Sequence, residues 1–130
     1  MDLYSYTPKD IGNLGERITC EYLRRLGFTI IGRNISAKMG ELDIVAKRNE
    51  ELHLVEVKAL KCKEFAKPNS NESYNPGDNL HVNKIRKVIR TAQWYVASTG
   101  WEGEWQIDGA LVWLREHDGL ARIQYYPQII

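Results

Sequence analysis

Residues 41–60 read Glu-Leu-Asp-Ile-Val-Ala-Lys-Arg-Asn-Glu-Glu-Leu-His-Leu-Val-Glu-Val-Lys-Ala-Leu, and this stretch decides the fold. Two runs rich in branched aliphatic residues, 41–47 and 52–60, flank the short polar connection 48–51. Runs of this kind favour β-strands, and a short polar connection between them is typical of a hairpin. We therefore predict that the two strands pair antiparallel.

The register of this hairpin brings acidic residues together. If the chain turns at residues 49–50, Asp43 lies opposite Glu56 and Glu41 lies opposite Lys58. Directly opposed side chains have Cβ atoms about 4.5–5.5 Å apart, and two like charges there destabilise the pair. A hard divalent cation such as Mg²⁺ or Mn²⁺ would compensate, since it prefers a few carboxylate oxygens plus water. Lys58 would lie beside that ion, where it could orient an attacking water or offset transition-state charge.

A plainer interpretation of the same residues stays open. Glu41 and Lys58 would form a cross-strand ion pair, and Asp43 and Glu56 would be solvated acids on an exposed sheet face. Hydrophobic residues on the acids' face, Val45 and Leu54, indicate instead that the face is partly covered. The reverse face is expected to pack against a helix through Leu42, Ile44, Val55 and Val57.

The flanking sequence predicts a single α/β domain over residues 1–130. A Thr-Pro start and apolar residues spaced by three and four predict a first helix over 7–26, ending before Gly27. A strand is expected from residue 28 into a polar turn at 36–38, and a second helix over 81–98. Two last strands are expected at 105–114 and 121–126, which gives the order αβββαββ.

Two segments carry candidate nucleic-acid contacts. Residues 61–80 are rich in Lys, Asn, Pro and Gly, which is typical of a mobile functional loop or of a tolerated insertion. The second helix has four basic residues and no acid between residues 82 and 98, so it could follow a phosphate backbone or simply present a solvated face. The predicted phosphate-binding residues are Lys61, Lys63, Lys84, Lys87 and Arg90.

The histidines and tryptophans are less informative. His53, His81 and His117 show no metal-ligand spacing and are interpreted as surface or hydrogen-bonded polar residues. The four tryptophans are interpreted mainly as packing residues, with base stacking as the alternative.

Several motifs together resemble those of a known family. Gly15-Glu16, Tyr22-Leu23, Gly27-Phe28, Arg33-Asn34, Gly40-Glu41-Leu42-Asp43-Ile44-Val45 and Val55-Glu56-Val57-Lys58 occur in the order and spacing of the YraN-like predicted endonucleases of the PD-(D/E)xK superfamily. The resemblance continues weakly through Lys84, Ala92 and residues 106–108. Gly-Glu-x-Asp followed by Val-Glu-Val-Lys is a specific combination.

The resemblance implies a restriction-endonuclease-like core, a mixed β-sheet flanked by helices. It also implies that Asp43 and Glu56 are metal ligands, that Lys58 is the catalytic lysine and that Glu16 joins the metal site, although a surface acid is an equal alternative for Glu16. Glu41 would either help to orient Lys58 or stay at the rim of the site. Two departures put phosphate contacts in doubt: Leu60 and Gln106 stand where the family usually has arginine.

The functional expectation is a Mg²⁺- or Mn²⁺-dependent endonuclease acting on DNA, with structured or branched DNA favoured and RNA left open. The alternative is a catalytically silent nuclease fold that binds nucleic acid or a partner protein. A homodimer would suit a junction substrate. A net charge of +1 does not by itself indicate a nucleic-acid partner. Two distant cysteines and the absence of a signal or membrane-spanning run predict a cytoplasmic protein without membrane association.

Overall fold

Two helices and five strands make up the residues that the computed structural model describes, 1–65 and 82–130, with backbone alone at 82 and 83. In chain order the elements are α1 Pro8–Arg25, β1 Thr29–Ala37, β2 Gly40–Arg48, β3 Glu51–Cys62, α2 Val82–Thr99, β4 Trp105–Arg115 and β5 Ala121–Tyr126. The predicted order is confirmed, with most ends within one or two residues. The loop predicted at 61–80 begins later than expected, because β3 continues to Cys62. Residues 66–80 of that predicted loop lie outside the described residues.

Helix α1 begins where the sequence predicts, at a reciprocal cap. The Thr7 hydroxyl accepts a hydrogen bond from the Asp10 amide at 3.1 Å, and the Asp10 carboxylate accepts one from the Thr7 amide at 3.0 Å. These bonds satisfy amides that the first helical turn leaves unpaired. After the helix, Gly27 has a φ of 90°, a conformation that favours glycine.

The five strands form one mixed sheet in the order β1-β2-β3-β4-β5. All neighbouring pairs are antiparallel except β3 and β4, which run parallel and are connected through α2. The β2–β3 hairpin turns at Asn49 and Glu50, whose φ values of 50° and 63° are typical of a tight two-residue turn. Its ladder runs from Arg48 opposite Glu51 to Ile44 opposite Val55, which confirms the predicted register for these pairs.

Helix α1 covers one face of the sheet. Leu23 and Cys20 pack there against Ile44 and Val55, and a neighbouring cluster joins the start of α1 to β4. The closest approach is at Gly15, where a Cβ atom would lie 2.5 Å from the Ala59 Cβ. The lack of a side chain at Gly15 therefore brings α1, and with it Glu16, close to β3.

Helix α2 covers the opposite face through Val88 and Ala92, which pack with Val45 and Leu54. This arrangement confirms that the face carrying the acids is partly covered. The expectation that Leu42 shares the α1 face with Ile44 is wrong, because Leu42 belongs to the cluster under α2.

Side chains along β2 stop alternating regularly between the two faces of the sheet at Asp43, between Leu42 and Ile44. The β1 pairings Arg33–Ile44 and Ile35–Leu42 leave Asn34 across from Asp43, and the Asn34 backbone is left-handed with a φ of 50°. A left-handed residue interrupts the regular pleat, and asparagine tolerates it better than most side chains.

Candidate functional site

The site begins where β2 and β3 separate. The backbone ladder between them ends at Ile44 and Val55, one residue before the two acids. Beyond this point the Asp43 carboxylate takes the place of a backbone acceptor, since its Oδ2 accepts a hydrogen bond from the Val57 amide at 2.8 Å. The Asp43 side chain is thereby held between the two strands.

Asp43 and Glu56, the residues that follow the last pair of the ladder, lie close enough together for each to shift the pKa of the other. The pKa of Glu56 is raised to about 8, mainly by burial and secondly by the negative charge of Asp43. Burial also raises the pKa of Asp43, while the hydrogen bond from Val57 opposes that rise. Burial is thus the largest cause of the raised pKa of both acids. The interpretation as freely solvated acids is therefore wrong.

Glu16 approaches this pair from α1. Its side chain is only 13% exposed, and its Oε1 is buried without a hydrogen bond to any described residue. The same oxygen lies 3.8 Å from Nη2 of Arg33. Burial raises the pKa of Glu16, as does the charge of Asp43, and the Arg33 charge lowers it. Glu16 is therefore a third carboxyl group, close enough to Asp43 for that charge to raise its pKa.

Lys58 lies two residues beyond Glu56 on β3 and is exposed. Within residues 1–65 and 82–130 it makes no ion pair with Glu41, so the proposed cross-strand bridge does not form there. Glu41 is exposed at the start of β2, and its charge contributes to raising the pKa of both Asp43 and Glu56. The Lys58 ammonium is thus free to meet a ligand on the face that carries Glu56.

The predicted phosphate-binding residues are distributed unevenly. Lys84, in the first turn of α2, is close enough that its charge lowers the pKa of both Asp43 and Glu56. Lys87 and Arg90 are exposed on the following turns of the same helix. Lys61 is exposed near the end of β3, with its Nζ 3.3 Å from the Tyr6 carbonyl oxygen, and Lys63 is exposed just beyond the strand.

The donor set was compared with the needs of a divalent cation. Among the described residues, no three or more His, Cys, Asp or Glu side chains are arranged to hold a metal ion. Two carboxylates supplemented by water and substrate oxygens suffice for Mg²⁺, however, and oxygen donors suit Mn²⁺ as well. A cation between Asp43 and Glu56 would offset their negative charges, and Oε1 of Glu16, which accepts no hydrogen bond from a described residue, is a further oxygen donor. The residues therefore fit such an ion.

A second polar cluster, not predicted from the sequence, is centred on the fully buried Asp108. Its carboxylate accepts hydrogen bonds from the Gln106 amide group at 2.7 Å, the Gln128 backbone amide at 2.8 Å and the Tyr125 hydroxyl, and contacts His53 Nδ1 at 2.7 Å. Gln106, which replaces the family's usual arginine, is therefore engaged in the interior.

This cluster lies on the α1 face of the sheet. Asp108 is paired with Val55, and Tyr125 packs in the same α1 cluster as Val55. Glu56, by contrast, follows Leu54, which packs under α2. Burial and the bond to Asp108 raise the pKa of Tyr125 well above its usual range. The Asp108 cluster ties β3, β4 and β5 together and is separate from the Asp43–Glu56 pair. His53 is accordingly a buried, hydrogen-bonded residue, in line with its interpretation from sequence.

Fold and site together define a class. A mixed five-stranded sheet flanked by two helices, with acids where β2 and β3 separate, is an α/β fold consistent with a restriction-endonuclease-like core. The sequence profile of the Uncharacterised protein family UPF0102 matches residues 15–116. The chain belongs to this family, which is the YraN family of predicted nucleases.

Relatives in the family are similar over most of their length. A UPF0102 protein of Campylobacter jejuni strain 81-176 is 35% identical over 97 residues, covering 75% of this chain and 78% of the relative. A UPF0102 protein of Campylobacter lari is 32% identical over 114 residues, covering 88% and 93%. One from Sulfurovum sp. strain NBC37-1 is 33% identical over 106 residues, covering 81% and 85%.

The helices were also compared with membrane spans. Within the described ranges, neither α1 nor α2 is both long and apolar enough to cross a bilayer.

Proposed function

We propose that this protein is a divalent-metal-dependent endonuclease that hydrolyses phosphodiester bonds of DNA. One observation carries the proposal: Asp43, held by the Val57 amide, and Glu56 lie close together in a partly buried position where β2 and β3 separate. Keeping two carboxyl groups together away from solvent is costly unless a proton or a cation compensates. Such perturbed acids are concentrated at functional sites.

Asp43, Glu56 and Glu16 would hold Mg²⁺ or Mn²⁺. Such an ion, when bound, stabilises charge on the phosphate and lowers the pKa of a coordinated water. The Val57 amide keeps the Asp43 side chain in place, which fixes one ligand before substrate arrives. Lys58 orients the attacking water or stabilises the additional negative charge on the phosphate, and Glu41 stays at the rim, where it helps to orient Lys58.

We assign nucleic-acid binding to basic residues on α2 and at the end of β3, on either side of Asp43 and Glu56. Lys84 is the nearest on α2, with Lys87 and Arg90 following, while Lys61 and Lys63 extend from the end of β3. Structured or branched DNA is the favoured substrate class, from the family resemblance, with RNA as the alternative. A homodimer would place two sites on one junction. A cytoplasmic location is part of the same proposal and agrees with both cysteines being free.

The test is a cleavage assay on end-labelled single-stranded, duplex, flapped and four-way-junction DNA, and on RNA, with Mn²⁺, Mg²⁺ or EDTA. We expect cleavage only with metal, and a loss of about 100-fold or more in Asp43→Asn and Glu56→Gln. Lys58→Ala should lose about 10²–10⁴-fold, the range for a positioned acid–base group. Glu102→Gln and Lys9→Ala, which alter exposed charges elsewhere, are the matched controls. Cleavage that persists in Asp43→Asn would refute the proposed site.

A second candidate is a catalytically silent nuclease fold that binds nucleic acid or a partner protein. It is favoured by the lack of a three-residue metal cluster among the described residues and by the internal engagement of Gln106. Calorimetric titration of Mn²⁺ separates the two candidates. Binding to wild type that is lost in Asp43→Asn supports the nuclease, whereas no binding to either protein supports the silent fold.

A further inference from the structure

A cavity of about 500 Å³ opens beside the N-terminal half of α1, and none of the residues assigned above to substrate binding lines it. Its volume is within the range of about 300–1,000 Å³ that ligand sites occupy. The residues that line it are Tyr6, Asp10, Asn13, Leu14, Arg17 and Arg33. Two of them are arginines, from α1 and β1, that face the same space.

These arginines have unused hydrogen-bonding capacity. Arg17 is exposed and forms no ion pair or hydrogen bond with residues 1–65 or 82–130. Arg33 contacts Glu16 only at 3.8 Å, a separation that leaves most of its five N–H donors available. The carboxylate in the lining, Asp10, is engaged by the Thr7 amide in the helix cap. The cavity therefore offers two guanidinium groups to an anionic ligand.

A second cavity, of about 260 Å³, continues the surface on the other side of Tyr6. It is lined by Tyr6, Pro8, Ile11, Ala59, Leu60 and Lys61. Lys61 Nζ lies 3.3 Å from the Tyr6 carbonyl oxygen, which places a third cation next to the tyrosine. We call the two cavities together, with Tyr6, Arg17, Arg33 and Lys61, the α1 groove. Several cations next to an aromatic side chain are typical of sites that bind a nucleic-acid strand, which carries many phosphates, rather than a single small anion.

The α1 groove also reaches the acids. Arg33 lines the groove and at the same time approaches Glu16, whose pKa is raised in part by Asp43. Lys84 approaches the same acids from α2, on the opposite face of the sheet. A polyanion that contacts both Arg33 and Lys84 would therefore have to reach both faces of the sheet.

We propose that the α1 groove binds the sugar–phosphate backbone of an unpaired nucleic-acid strand, with Arg17 and Arg33 on its phosphates and Lys61 on the next. This inference rests on the proposed nuclease function and adds its substrate class, a single-stranded arm next to the cleavage point. An unpaired strand bends around the sheet easily, whereas duplex DNA is stiff, with a persistence length of about 150 base pairs. Arginine suits this role because its planar group binds phosphate in a bidentate manner.

The test is equilibrium binding by fluorescence anisotropy, with wild type in EDTA so that metal-dependent cleavage plays no part. The probes are a labelled oligothymidylate of about twenty nucleotides, longer than the roughly 4–16 that one single-strand module covers, and a duplex of equal length. Arg17→Glu and the double variant Arg17→Ala/Arg33→Ala are compared with Arg25→Glu, an exposed arginine in the last turn of the same helix. Since Arg17 has no partner among the described residues, its replacement should leave the fold intact.

We expect Arg17→Glu to weaken oligothymidylate binding by about tenfold or more while Arg25→Glu has little effect. For single strands, each lost phosphate contact reduces the slope of log affinity against log salt concentration by about 0.7. The slope of the double variant should therefore be smaller than that of wild type by about 1.4. Duplex binding should change much less. Arg33→Lys, which keeps the charge beside Glu16, should retain much of the affinity.

Three results would overturn the assignment. Equal affinities of Arg17→Glu and Arg25→Glu would remove the groove as a binding site, and an equal loss for duplex would remove its preference for an unpaired strand. Competition by polyglutamate as strong as by unlabelled oligothymidylate would indicate an acidic protein partner instead. Because binding is measured without metal, it is independent of cleavage: a protein that binds through the groove but never cleaves contradicts the nuclease proposal alone.

Discussion

The burial of Glu56 beside Asp43 makes the stability of the fold depend on pH. The folded protein holds the pKa of Glu56 at about 8, against 4.5 for an ordinary glutamate. Below the lower value, both the folded and the unfolded chain carry the proton. As pH rises from there to about 8, the unfolded chain releases it while the folded chain retains it, so the folded state is progressively destabilised.

The size of the effect follows from that difference. One pKa unit corresponds to about 1.4 kcal/mol, which gives a loss of about 5 kcal/mol in the free energy of unfolding once the pH exceeds 8. The slope for this single proton is at most about 1.4 kcal/mol per pH unit. Replacing Glu56 by glutamine removes this dependence, because the amide group can still donate to Asp43 but does not ionise.

Urea unfolding of wild type and Glu56→Gln in EDTA, from about pH 5 to about pH 9, measures the effect. We expect nearly equal stabilities at the acidic end and an advantage of several kcal/mol for Glu56→Gln at the alkaline end. The matched control Glu102→Gln, at an exposed position, should follow the wild-type curve at every pH. A difference between wild type and Glu56→Gln that is constant over the pH range would refute the raised pKa of Glu56.

Three further predictions concern the scaffold. Gly15→Ala should lower the free energy of unfolding by about 1–3 kcal/mol, because the added Cβ would meet Ala59. Adding Ala59→Gly should restore that free energy in a double-mutant cycle, and the absence of rescue would contradict this contact. Tyr125→Phe should cost about 1–3 kcal/mol in urea unfolding by removing a donor to buried Asp108, yet should leave Mn²⁺ binding unchanged; altered metal affinity would disprove the separation of the two clusters. Thr7→Ala should cost about 1 kcal/mol by calorimetry and Thr7→Ser much less; equal costs would rule out the hydroxyl cap.

The hairpin register was predictable because it depends on local chain geometry. A two-residue turn at Asn49 and Glu50 fixes which residues oppose each other, so the pairing from Arg48–Glu51 to Ile44–Val55, next to the two acids, could be derived by counting along the strands. The capping sequence around Thr7 fixed the start of α1 in the same way. Both features are set within a few residues of sequence.

Features that depend on distant pairing were not predictable. The parallel ladder places His53 beside Gln106 and Val55 beside Asp108, although these residues lie more than fifty positions apart in sequence. Taken alone, each polar residue fits a surface position as well as a buried hydrogen-bonded one. A possible sequence signal was the coincidence of His53, Gln106 and Asp108 on adjacent strands, but using it requires the β3–β4 register.

The change of face at Leu42 was missed for a related reason. It depends on the left-handed backbone of Asn34 and on the Asp43 carboxylate accepting from Val57, and neither contributes to hydrophobic periodicity. Regular alternation therefore failed at the point where β2 leaves β3, which is also where the candidate site lies. Local rules are most often broken at such functional positions.

The tight turn between β2 and β3 also makes the spacing of the two acids independent of the crossover. The two acids are separated by one short connection, whereas residues 66–81 belong to the crossover that enters the sheet only after β3 is complete. Because the register of β2 and β3 is set by their own short turn, a change of length between β3 and α2 would leave the spacing of the two carboxyl groups unaltered.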